Sequence, residues 1–169
     1  MKQLGVWAAA VISLFVLEVS LMPYFAFRGV GPDFLLIFAV SLTILQGTRL
    51  GVFSAFCFGL LEDIVIGSFF GVHTLAKMTA AFVCGLLCNR VFREQTVLPL
   101  VSSLGAAAIQ YSVILGMVYL LGYNPSVSST VGDILLPRMV YNFIFALPIH
   151  RLVIMLCDNY WPGQRSKES

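Results

Sequence analysis

The sequence GLLEDIVIGSFFGVHTL, residues 59–75, places five residues, three of them glycines, at a regular four-residue step. The step consists of Gly59, Asp63, Gly67, Gly71 and Leu75. Glycines four residues apart let the backbones of membrane helices approach closely. The stretch also carries two adjacent acids, Glu62 and Asp63, among apolar neighbours. Because ionisable groups at membrane depth are costly and usually face a protein interior or a cavity, this stretch is the first candidate for a functional segment.

The rest of the chain is similarly apolar. Of 169 residues, 59% are hydrophobic and only 11% are charged, and the mean hydropathy is +0.94. Soluble domains contain about 25% charged residues on average. The apolar runs have the lengths of bilayer spans, and the connections between them are short. We therefore predict an all-α, polytopic membrane protein that lies in the lipid bilayer, with no soluble catalytic domain and no nucleic-acid-binding module.

The apolar runs predict a bundle of six transmembrane helices that forms a single membrane domain over residues 1–169. The approximate bounds of the spans are 4–22, 33–48, 50–66, 72–88, 97–121 and 134–157. The second span is shorter than the roughly 20 residues that a crossing helix needs. It either extends past Gly47, lies at an angle, or is partly re-entrant. Pro32 and Asp33 form a helix-start motif, since proline loses no hydrogen bond there and a carboxylate suits the helix dipole.

The positions of lysine and arginine predict the orientation of the spans. Six spans place both termini on one side of the membrane, together with most of the basic residues outside the spans. These residues are Lys2, Arg49, Arg90, Arg93, Arg165 and Lys167, whereas Arg28 is alone in the opposite loops. Since cytoplasmic loops are enriched in lysine and arginine, both termini are predicted to be cytoplasmic.

Charged residues within the spans are predicted to share one layer in the outer half of the membrane. The third and fourth spans form an antiparallel hairpin. Lys77 lies about as far from the turn of this hairpin as Glu62 and Asp63 do, roughly 10 Å. An ion pair there would lower the cost of burying each charge. The first and sixth spans each add one charge at a similar depth. The predicted layer contains Glu18, Glu62, Asp63, Lys77 and Arg138.

Two interpretations of this layer remain open. It either fixes helix register and supports partner docking, or it lines a cavity for a substrate or a proton. The first is favoured because the acids are few and lie near the outer surface. We expect neither enzymatic activity nor a cofactor or metal, because no nucleophile motif such as G-x-S-x-G occurs. The i, i+4 pair Cys84 and Cys88 is better explained by packing, since no His or acid lies near it in sequence.

The segment from Pro32 to Lys77 resembles the family of the rod shape-determining protein MreD. The resemblance rests on Pro32-Asp33, on Gly47 and Gly51, and on the motif GLLEDIVIGSFFGVHTLAK. Within that motif Asp63, but not Glu62, matches the family pattern. The last two spans match mainly in their apolar character.

The resemblance implies a non-enzymatic component of the bacterial cell-elongation complex in the inner membrane, which supports cell shape and lateral peptidoglycan synthesis. MreC is the implied direct partner, and MreB, RodA and a class B penicillin-binding protein belong to the wider complex. Our leading hypothesis is that the four-residue step from Gly59 to Leu75 docks MreC. The alternative is a small-ligand-binding subunit of a transporter, because the family resembles the membrane-embedded substrate-binding subunits of vitamin transporters.

Overall fold

The computed structural model describes residues 2–25, 30–66, 70–91, 97–123 and 131–160. In these ranges the chain is helical, which confirms the predicted all-α class. The helices are α1 (Lys2–Phe25), α2 (Phe34–Gln46), α3 (Thr48–Ile66), α4 (Val72–Val91), α5 (Val97–Leu120) and α6 (Leu136–Tyr160), and a π-helical turn (Val131–Leu135) directly precedes α6. Gly67, Arg28, Arg93, Arg165 and Lys167, which entered the predictions above, lie outside the described residues.

The helix bounds differ from the predicted ones mainly at the two ends of the chain. The first span was predicted to end near residue 22 but its helix continues to Phe25, and the last span was predicted to end near residue 157 but its helix continues to Tyr160. Within the described ranges, two stretches are long and apolar enough to cross a bilayer by length and composition, namely Leu98–Leu120 and Val131–Asn159. Shorter apolar stretches are Trp7–Ser20, Phe34–Gln46 and Val72–Leu87. The number of complete crossings therefore stays a prediction.

The shortest helix, α2, lies at the centre of the bundle. It contacts each of the other five helices, and every residue from Phe34 to Thr43 is buried. This burial on all sides explains why its sequence is apolar on all sides. At 1.5 Å per residue, its 13 residues extend over roughly 20 Å, less than the roughly 30 Å of a hydrocarbon core. The helix ends before Gly47, whose φ of +91° favours glycine, so α2 does not extend to residue 48.

Two glycines of α3 bring its backbone close to its neighbours. A Cβ atom on Gly59 would lie 2.4 Å from the Cα of Thr74 in α4, closer than carbon atoms can approach. A Cβ atom on Gly51 would lie 2.6 Å from the Cα of Thr43 in α2. Small residues at helix interfaces therefore hold α2, α3 and α4 together within one chain.

Candidate functional site

Among the described residues, six buried polar side chains meet inside the helix bundle, and each helix or its cap supplies one. We call this cluster the polar junction. It consists of Glu18 of α1, Asp33 at the start of α2, Glu62 of α3, Lys77 of α4, Gln110 of α5 and Asn142 of α6. Because buried polar groups are stable only when they are paired, the junction constrains the relative positions of all six helices.

Asp33 is the centre of the polar junction. One carboxylate oxygen accepts hydrogen bonds from the Leu36 amide, at 2.8 Å, and from the Lys77 ammonium group. The other accepts from the Gln110 side-chain amide at 2.9 Å. The backbone N–H of Asp33 donates to the Asn142 side-chain oxygen at 3.1 Å. Asp33 therefore caps α2 and links it to α4, α5 and α6.

Glu18 supports the same helix start from α1. Its Oε2 accepts a hydrogen bond from the Leu35 amide at 3.2 Å. The first N–H groups of a helix have no partner inside the helix, and no water is at hand in the hydrocarbon to bind them. Glu18 and Asp33 together satisfy the amides of Leu35 and Leu36, so α2 can begin inside the bundle.

Lys77 carries the positive charge of the polar junction. Its side chain is fully buried, and its Nζ lies 2.9 Å from Glu62 Oε1 in addition to its bond to Asp33. The other oxygen of Glu62 lies 3.5 Å from His73 Nδ1, and the His73 side chain is 29% exposed. A chain of polar groups thus runs from the protein surface at His73 through Glu62 to the ammonium group.

Asp63 has a different role from the predicted pairing with Lys77. Its Oδ2 accepts from the Gly71 and Thr74 amides, both at 3.0 Å, and from the Thr74 hydroxyl, while its Oδ1 accepts from the His73 amide at 3.0 Å. Adjacent residues of a helix point about 100° apart, so only one of the two acids can face Lys77. The acid that does so is Glu62, and Asp63 instead caps α4 and joins it to α3.

The described residues of the four-residue step do not all belong to one helix. The reason is that α3 ends at Ile66 and α4 begins at Val72, so the helical periodicity is interrupted. Gly59 is buried against α4, and Gly71, with a φ of +95°, lies in the turn before it. Leu75 is an exposed residue of α4.

The remaining predicted residues lie at the edge of the polar junction. Arg138 is half-buried in α6 and acts electrostatically on Asp33 and Glu62, and its Nε has no hydrogen-bond partner in the described ranges. Pro32 directly precedes the capping residue Asp33.

Sequence reasoning missed Gln110 and Asn142, and it assigned Asp33 only to a helix start. A signal for the two amides was available, since each is an isolated polar residue in a long apolar run.

The acids of the polar junction could in principle hold a cation. Carboxylate oxygens of Glu18, Asp33 and Glu62 all lie within 4.8 Å of one another. However, the Lys77 ammonium group already bonds two of the three, so a positive charge fills part of the space that a metal ion would need. This arrangement is suited to fixing the helices and to binding a proton more than to binding a metal.

A comparison with family models identifies the chain. The model of the rod shape-determining protein MreD matches residues 1–160 of the 169. The chain belongs to the MreD family. It is therefore a rod shape-determining membrane protein, and the resemblance seen in residues 32–77 extends over nearly the whole length. No curated protein and no solved structure matches this MreD family member.

Proposed function

We propose that the protein is a non-enzymatic scaffold of the cell-elongation complex in the bacterial inner membrane, where it binds MreC and thereby supports lateral peptidoglycan synthesis. The observation that carries the proposal is the match of the MreD family model to residues 1–160. The polar junction supports a scaffolding role, because it ties six helices together through Asp33 and Lys77. A rigid bundle presents a fixed outer surface to partners.

We place the MreC contact at the outer edge of α4 and α5. An apolar groove of about 270 Å³ lies there, lined by Phe70, Val72, Met117, Leu120 and Leu121. Phe70 is 72% exposed and Leu120 is 88% exposed, and Leu75 is exposed nearby. A groove beside the turn between two spans suits the membrane helix of MreC at the point where it leaves the bilayer. MreB, RodA and the class B penicillin-binding protein then join through the wider complex.

Site-specific photocrosslinking in growing cells tests this placement. A photoreactive residue at Phe70, Leu75 or Leu120 is expected to capture MreC. The matched control is Met155 of α6, which is 64% exposed but far along the chain from the groove. Capture of MreC at Met155 but not at Phe70, Leu75 or Leu120 would place the contact on another face. Absence of MreC from all crosslinks and from purified complexes would contradict the proposed partner itself.

A matched pair of substitutions tests the functional consequence. Leu120→Gln is expected to reduce co-purification of MreC and to make rod-shaped cells round. When MreC covers this position, the glutamine amide would lose its hydrogen bonds to water without gaining another partner. Met155→Gln makes the same change on an exposed apolar position and is expected to preserve both. Equal protein levels in the membrane show that neither result comes from degradation.

The second candidate function is a small-ligand-binding subunit of a transporter. It is favoured by two buried atoms in the polar junction that have no hydrogen-bond partner in the described part of the chain, Gln110 Oε1 and Asn142 Nδ2. Such atoms are where a bound polar molecule could attach. Native mass spectrometry of protein purified from cells in rich medium should then show a small molecule in equal amount. Bare protein in repeated preparations would reject this candidate.

A further inference from the structure

Glu18 differs from the other two acids of the polar junction. The Lys77 ammonium group bonds Asp33 and pairs with Glu62. Glu18, which is only 6% exposed, accepts one hydrogen bond from a backbone amide, and no ion pair joins it to another group in the described ranges. Among these three acids in the described ranges, the Glu18 carboxylate is therefore the one that is not bonded to a positively charged group.

The spacing of the three acids makes full ionisation unfavourable. Their oxygens lie within 4.8 Å of one another in a buried region, where repulsion is screened weakly. Two like-charged carboxylates that share a buried site cannot both remain ionised without compensation. One ammonium group in direct contact cannot compensate three carboxylates, and Arg138 contributes only from the edge of the cluster.

We propose that the polar junction is a binding site for a single proton, held on Glu18, and that this proton allows α1 to pack against the bundle. A carboxylic acid, unlike a carboxylate, can donate a hydrogen bond. The same cluster contains a buried acceptor without a partner in the described ranges, because the Gln110 carboxamide contacts Asp33 through its nitrogen and leaves its Oε1 unbonded. A proton removes the excess charge without needing the space that Lys77 occupies, which is why it fits better than a metal ion.

Loss of the proton acts first on α1, because this helix joins the bundle chiefly through α2. Leu14 and Glu18 are its buried positions among the described side chains, and Trp7 packs edge-to-face on Phe38 at 6.1 Å. An ionised Glu18 would be repelled from Asp33 and Glu62. Release of α1 would then expose the start of α2.

Other charged and titratable groups surround this site and belong to the same equilibrium. They are Asp33 before α2, Glu62 and Asp63 of α3, His73 and Lys77 of α4, and Arg138 of α6, while α5 contributes the neutral Gln110. His73 is the partly exposed member and lies beside Glu62, so it offers a path between the proton site and the outer surface.

Infrared spectroscopy of the full chain in lipid nanodiscs tests the proposal directly. At neutral pH, ordinary acids are ionised, so a carbonyl band of a protonated carboxyl group marks a perturbed acid. The wild type is expected to show this band and to lose it on titration from about pH 6 to about pH 10. Glu18→Gln is expected to lack it, and Asp158→Asn, which changes an exposed acid of α6, is expected to retain it. No band in the wild type, or a band that persists in Glu18→Gln, would overturn the assignment.

Thermal unfolding over the same pH range gives a second readout. The wild type is expected to lose stability as the pH rises, because ionisation of Glu18 loosens α1. Glu18→Gln, which resembles the protonated acid in shape and neutrality, should fold and show a clearly smaller loss. An identical pH dependence in both proteins would overturn the coupling of the proton to α1 packing.

Titration with Na⁺, Mg²⁺ and Ca²⁺ separates a proton from a metal ion. We expect the same cation response in the wild type and in Glu18→Gln. A saturable stabilisation of the wild type alone would assign a metal ion to the junction and overturn the proposal. These measurements use the isolated protein, so their outcome does not depend on whether MreC binds the groove.

Discussion

At the scale of single residues, the bundle depends on a small number of charges in fixed partnerships. Lys77 is compensated by Asp33 and Glu62, and Asp33 is compensated in turn by Gln110 and a backbone amide. Removing one member of a buried ion pair leaves an uncompensated charge, which costs far more than losing an exposed pair. The consequence is that isosteric changes at these residues should affect folding strongly.

Lys77→Met should lower the free energy of unfolding by about 3 to 5 kcal/mol, because Asp33 and Glu62 would remain buried without a cation. Unfolding by denaturing detergent in mixed micelles measures the change. The double variant Lys77→Met/Glu62→Gln serves as the control and should recover part of the loss, since one of the stranded charges is removed. If Lys77→Met alone were as stable as the wild type, the charge of Lys77 would not be compensating the charges of Asp33 and Glu62.

Asp63→Ala should lower the free energy of unfolding by about 1 to 2 kcal/mol through loss of the α4 cap. Hydrogen exchange should accelerate at the amides of Gly71, His73 and Thr74, which donate to Asp63. Ser54→Ala on the same helix is the control, because its hydroxyl donates only to the Gly51 carbonyl within α3. Unchanged protection of the three amides would contradict the capping role.

At the scale of the helices, the arrangement depends on how closely their backbones approach. The central helix α2 has no side exposed to lipid between Phe34 and Thr43, so its neighbours must close around it. Glycines at the α2–α3 and α3–α4 contacts permit this closure. The small residues that sequence reasoning assigned to a partner surface are thus partly used inside the chain.

Gly59→Ala should push α3 away from α4 and destabilise the protein by about 1 to 3 kcal/mol, as overpacking commonly does. The added methyl group would meet backbone atoms of Thr74, which cannot rotate away. Gly105→Ala is the matched control on α5, because nothing lies within 4 Å of the added atom. It should be neutral or stabilising by up to about 1 kcal/mol through helix propensity. Equal effects of the two substitutions would contradict the close α3–α4 contact.

At the scale of the whole molecule, the MreD family match and the apolar composition make this a membrane protein. Its orientation in the membrane is a prediction from the basic residues. The polar junction draws one group from each helix or its cap, which requires all six helices to share one bundle. If each helix crosses the bilayer once, as predicted, the chain termini lie on the same side. The prediction that this side is cytoplasmic rests on the excess of lysine and arginine.

Cysteine labelling in intact cells tests this topology. The four native cysteines are first replaced by alanine, and single cysteines are then introduced at Ser126 and at Arg93. A membrane-impermeant reagent is expected to label Ser126→Cys from outside, and to label Arg93→Cys only after the membrane is opened. The reverse pattern would invert the orientation, and external labelling of both positions would exclude six complete crossings.

The amino-acid sequence by itself determined the all-α class, the family and the approximate helix bounds, because these depend on local composition, periodicity and short motifs. It also indicated that Glu18, Glu62 and Lys77 lie at similar depth, since depth follows from counting residues along a helix. It did not indicate which of the two adjacent acids, Glu62 or Asp63, pairs with Lys77, because rotation about the helix axis, and not depth, decides which acid faces Lys77.

Only the tertiary structure decided which groups bond to one another. The central position of α2 makes Asp33 the meeting point of Lys77, Gln110 and Asn142, which come from three helices that are distant in sequence. Likewise, the break between α3 and α4 leaves Gly59 buried at the contact between the two helices and Leu75 exposed, although their spacing in the sequence is regular. The physical reason is that both outcomes depend on how helices pack and turn against one another, which no single stretch of an apolar sequence specifies.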